Sequence, residues 1–87
     1  HLNLSYLTRI TDVSIDYLTK IRNLNNLNLS SCIKLTNNGF KLLNNIENLH
    51  VLNISGNYNL EKKTLHYLSR KKKILNYYAN NCCNIIN

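Results

Sequence analysis

Apolar and polar residues alternate along Leu2-Asn3-Leu4-Ser5, and the same alternation returns at Leu27-Asn28-Leu29-Ser30 and at Leu52-Asn53-Ile54-Ser55. A two-residue alternation is what a strand with one buried face requires. The step from Leu2 to Leu27 equals that from Leu27 to Leu52, and one further step reaches Tyr77-Tyr78-Ala79-Asn80, a degraded copy. Other apolar positions keep the same step: Ile10, Leu35, Leu60 and Ile85; Ile15, Phe40 and Leu65; Leu18, Leu43 and Leu68; Leu24, Leu49 and Ile74. Some ten residues after each alternating segment the spacing turns helical. Ile15, Leu18 and Ile21, then Phe40, Leu43 and Ile46, fall three apart along one helix face. Thr11 and Thr36 stand just ahead of these segments, where a hydroxyl can cap the first free amides. Asp12 falls in the first turn, against the positive end of the helix dipole. Each period therefore predicts a strand, a turn and a helix.

One such unit cannot bury both of its apolar faces alone. Stacking the units sets each strand beside its predecessor in a parallel sheet with the helices outside. A period of about 25 residues suits the crossover that parallel neighbours need. The expected architecture is an α/β solenoid of about 3.5 units over a single domain, residues 1–87, with units near 2–26, 27–51 and 52–76 and a partial one over 77–87.

The run Leu24-x-x-Leu27-x-Leu29-x-x-Cys32-x-x-Leu35-Thr36-x-x-x-Phe40-x-x-Leu43 resembles the cysteine-containing subclass of leucine-rich repeats, which form horseshoe-shaped solenoids. That resemblance covers nearly the whole chain. It implies a protein–protein interaction module, with substrate recognition in a ubiquitin-ligase adaptor as the role of the F-box receptors among its members. No F-box segment lies among these residues, so the ligase role comes from relatives alone. The sequence departs from the family pattern in two places. The cysteine column reads Leu7, Cys32, Asn57, Cys82, and Glu61-Lys62-Lys63 replaces an expected Thr-Asp, which weakens the start of the third helix.

The 44% apolar content of the 87 residues suits a small packed unit. No apolar stretch approaches the ~18 residues of a membrane helix, and no secretory leader is visible. The formal charge of +7 arises partly from a scarcity of acids, which are Asp12, Asp16, Glu47 and Glu61. Abundant Asn, Lys and Ile point to compositional filler on solvated positions. Arg70-Lys71-Lys72-Lys73 is the one dense basic run, expected at the end of the third helix, where cations suit the carbonyl end of the dipole. Its functional alternative is binding to nucleic acid or an acidic surface. A further alternative is a structural spacer in a larger assembly.

Cys32 and Cys82 stand two periods apart, about 10 Å at the usual strand spacing. That exceeds the ~7 Å between Cα atoms that a disulfide tolerates. Both are expected as buried small apolar residues, with Cys83 a free thiol. Their spacing, with only His1, His50 and His66 as further ligands, makes no metal site. The acids form no pair suited to catalysis, and Gly39 and Gly56 make no phosphate loop. No enzyme activity, cofactor or small-molecule ligand is expected. Sequons at Asn3, Asn28 and Asn53 follow from the repeat, and with unpaired cysteines they suggest a cytoplasmic or nuclear setting.

A partner is expected on the outward residues of the strands. These form the columns His1, Asn26, Val51, Asn76; Asn3, Asn28, Asn53, Tyr78; and Ser5, Ser30, Ser55, Asn80. Tyr78 is the sharpest candidate, since tyrosine offers contact area with a polar end. The competing reading is an asparagine ladder that only solvates the sheet. Four short strands expose roughly 200 Å², far below the ~800 Å² per partner of a standard interface. The expectation is therefore a segment of a longer horseshoe, or one whose ends pack on other chains.

Overall fold

The structure is a computed structural model that describes residues 1–57, 59–70 and 76–80. Lys71, Lys72, Lys73, Ile74, Cys82, Cys83 and Ile85 lie outside the described residues. In chain order the elements are β1 (Leu2–Asn3), α1 (Asp12–Leu18), β2 (Asn26–Asn28), α2 (Asn37–Leu42), a 3-10 turn (Leu43–Asn45), β3 (Val51–Asn53), α3 (Lys62–Ser69) and β4 (Asn76–Tyr78). The strands form one parallel sheet in the order β1-β2-β3-β4. Leu2 pairs with Leu27, Leu27 with Leu52 and Leu52 with Tyr77, so neighbours in the ladder stand one sequence period apart. The result is a mixed α/β chain of four parallel strands and three helices.

The alternation in each strand sorts its side chains. Leu27, Leu29, Leu52 and Ile54 are fully buried and pack with Ile15, Phe40, Leu43, Ile46, Leu49 and Leu68 in one core. Burying each such side chain contributes about 1.5–3 kcal/mol. Tyr77 takes the inward column as expected, and its hydroxyl donates to the Leu65 carbonyl at 3.5 Å. Ile21 departs from expectation. It falls after the end of α1 and stays 45% exposed, while its counterpart Ile46 is 1% exposed. The cause is position: α1 lies beside α2 and has no described helix on its other side, whereas α2 lies between α1 and α3.

Each period turns sharply after its strand. Tyr6 (φ 63°), Ser31 (φ 57°) and Gly56 (φ 79°) are again one period apart, and all three take the left-handed conformation. For a residue with a Cβ this costs about 1 kcal/mol, which Gly56 avoids. The next position varies more. Cys32 is fully buried and donates from Sγ to the Leu4 carbonyl at 3.2 Å. Asn57 is 3% exposed, and its Nδ2 donates to Leu29 at 2.9 Å and to Ile54 at 2.7 Å. A thiol and an amide thus bridge to the preceding period from equivalent sites. Asn57 Oδ1 has no partner among the described residues. Leu7, the first member of the column, has no polar side-chain hydrogen and is 46% exposed. Burial raises the Cys32 thiol above its ordinary value, opposed by a backbone hydrogen bond from Leu7.

The helix starts show what the sequence did not. Thr11 precedes α1, and its backbone N–H donates to Ser14 Oγ at 3.2 Å. Thr36 precedes α2, but its hydroxyl does not cap that helix. It donates instead to the Asp12 carboxylate, which also accepts the Thr36 N–H at 2.9 Å. One period later Asn37 repeats the contact. Its Oδ1 accepts the Glu61 N–H at 2.9 Å, and its Nδ2 donates to Glu61 Oε1 at 2.9 Å. The first residue of each of these helices thus anchors the residue that precedes the next helix. This is why α3 begins in register without Thr-Asp. Gly39 makes room for the first of these clamps, since a Cβ there would stand 2.0 Å from Asp12 Oδ1.

Candidate interaction surface

The outward face of the sheet is built from alternate strand residues. Ladder pairing sets Asn3, Asn28, Asn53 and Tyr78 side by side, with positions Asn26, Val51 and Asn76 forming the neighbouring row. Asn3 is exposed, Asn28 and Asn53 are half-buried, and Tyr78 is 48% exposed. Ser5, Ser30 and Ser55 are half-buried, while Asn80 is exposed.

The asparagines are not simply solvated. Asn3 Oδ1 accepts the Ser5 N–H at 3.0 Å and the Ser5 hydroxyl at 2.7 Å. Asn28 Oδ1 does the same for Ser30 at 2.9 and 2.6 Å. Asn53 Oδ1 accepts the Ser55 N–H at 3.0 Å, and the Ser55 hydroxyl turns to accept the Asn80 N–H at 3.0 Å. An asparagine that binds the backbone two residues on is a turn-forming device. Here it closes each strand and fixes the amide with its oxygen occupied. Tyr78 makes no such side-chain contact among the described residues. Of the candidate residues, it therefore offers the largest aromatic surface on this face.

The remaining candidates lie elsewhere. Arg70 follows the last turn of α3 and is exposed, as the sequence indicates, while Lys71, Lys72 and Lys73 fall outside the described residues. His50 is exposed just ahead of β3, and its backbone N–H donates to the Asn25 carbonyl at 2.8 Å. Glu61 forms an exposed ion pair with Lys63 at 3.9 Å. Among the described residues no three His, Cys, Asp or Glu side chains group as metal ligands, and no helix is long and apolar enough to cross a membrane.

One surface feature escaped the sequence reading. Asn44, Lys63, His66, Tyr67 and Arg70 line an open depression of about 380 Å³. Its signal was present in the spacing 63, 66, 67, 70, which is one face of a helix. The contiguous basic run that follows is the more conspicuous pattern and masks it. A second depression, of about 410 Å³, is of mixed sign, with Lys20, Arg22 and Glu47 among its lining residues.

Comparison of the chain with protein families, with curated proteins and with solved structures found no match. Any functional reading therefore rests on the residues themselves.

Proposed function

We propose that this chain is a stretch of leucine-rich-repeat solenoid that binds another protein through the outward face of its sheet. The observation that carries the reading is the column Asn3, Asn28, Asn53, Tyr78. Four consecutive parallel strands contribute one side chain each at the same level, and the series ends in a half-exposed tyrosine. Stacked units hold such a row rigidly, because each inner strand is fixed by both neighbours. Little ordering entropy is then lost when a partner docks. The asparagines contribute fixed amide nitrogens, and Tyr78 contributes an aromatic anchor of the kind that dominates interface energetics. Substrate recognition in a ubiquitin-ligase receptor is the narrower form of this proposal, and it rests on the family resemblance alone.

The test is affinity capture of partners on the wild-type chain, on Tyr78→Ala and on Asn28→Arg. Tyr78→Ala changes an exposed outward side chain and is expected to fold, whereas Asn28→Arg also removes the hydrogen bonds from Ser30, so circular dichroism checks that each variant is folded. Partners held by the sheet face should be lost from both. If the variants retain the same captured proteins, the sheet face is not the contact surface.

A further inference from the structure

The outer side of α3 carries a feature that the sheet-face reading does not use. Lys63, His66, Tyr67 and Arg70 follow one another at helical spacing and join Asn44 around the depression of about 380 Å³. All four of these side chains are exposed. The stripe belongs to this period alone. The equivalent positions on α1 and just beyond it are Val13, Asp16, Tyr17 and Lys20, and those on and beyond α2 are Asn38, Lys41, Leu42 and Asn45. Filler lysine spread evenly over solvated positions would not gather its cations on one face of one helix. An exposed acid, Glu61, stands 3.9 Å from Lys63 and also accepts from Asn37. An exposed pair of this kind is worth little and yields readily to a competing carboxylate.

We propose that this groove binds an acidic segment of a partner protein. From Lys63 to Arg70 the helix rises about 10 Å, the reach of some three extended residues. Two carboxylates of an extended acidic segment would lie against Lys63 at one end and Arg70 at the other. Tyr67, 45% exposed between them, supplies an apolar floor and a hydroxyl. Arginine suits this task, since its planar fork matches a carboxylate. Nucleic acid fits less well. A path of about 10 Å meets one or two phosphates, whereas duplex binding draws on some six to ten.

Fluorescence anisotropy with the whole chain tests this, using a labelled deca-glutamate peptide and a labelled ten-nucleotide oligothymidylate. The peptide should bind, and Lys63→Gln with Arg70→Gln should weaken it about tenfold. Tyr67→Ala should weaken it about threefold. Lys20→Gln with Lys34→Gln removes the same charge from positions elsewhere on the surface and should change affinity less than about twofold. The proposal is overturned by absence of peptide binding, by an equal loss in the control pair, or by tighter binding of the oligonucleotide. All substitutions are at exposed positions, and circular dichroism verifies that each variant is folded.

Discussion

At the scale of the residue, chemically equivalent positions carry very different weight. Ile21 and Ile46 occupy the same place in successive periods, yet one is 45% exposed and the other 1%. Ile46→Ala leaves a cavity in the core and is expected to cost about 2–4 kcal/mol. Ile21→Ala removes a half-solvated side chain and should cost less than about 1 kcal/mol. Thermal or urea unfolding of the two variants checks the difference, and equal losses would show that the two sites are not distinguished by packing. The sequence alone could not separate them, because periodicity marks a face without saying whether a neighbour covers it. The bridging column was equally hidden. Cys32 and Asn57 look unrelated by hydropathy, yet each donates to the carbonyl of the preceding period. What they share is a polar hydrogen at one point in space. Leu7, in the same column, is 46% exposed.

At the scale of the element, short helices need help at their starts. The three helices have 7, 6 and 8 residues, lengths at which isolated helices are not stable in water. Sequence reading placed the caps within each helix, as the positions of Thr11 and Thr36 suggest. The structure keeps a local contact at Thr11, whose N–H donates to Ser14 Oγ, but ties helix to helix at the next two starts, through Asp12 to Thr36 and through Asn37 to Glu61. The helix-to-helix contacts span 24 residues, so no local rule reveals them. Gly39 provides a test, because a methyl group there would meet the Asp12 carboxylate. Gly39→Ala alone should destabilise the chain by about 1–3 kcal/mol, the usual cost of overpacking. Asp12→Ala alone should cost about 1–2 kcal/mol through the lost hydrogen bonds to Thr36. Together they should cost less than the sum, since removing the carboxylate makes space for the methyl group. Additive losses in a denaturant double-mutant cycle would mean that Asp12 and Gly39 do not share this space.

At the scale of the whole molecule, the constant sequence interval was the most legible feature, and it sets the ladder pairs Leu2–Leu27, Leu27–Leu52 and Leu52–Tyr77. The parallel sheet and the three helices follow from alternation and helical spacing. The sheet-face column was legible for the same reason, since alternation alone assigns Asn3, Asn28, Asn53 and Tyr78 to one side. The task of the asparagines was not, because hydrogen bonds to Ser5, Ser30 and Ser55 depend on backbone direction at the strand ends. The groove on α3 was missed because its cations are separated in sequence and meet only on the helix surface. The central proposal is that the chain is built from interchangeable units, each one period long. Deleting residues 27–51 removes one such unit and joins Asn26 to Leu52, keeping every remaining alternation on its own side. Deleting residues 27–50 leaves one residue too many and turns the following strand over. Thermal melting followed by circular dichroism should show a cooperative, less stable α/β fold for the first deletion and no cooperative transition for the second. Indistinguishable melting of the two would contradict the repeat.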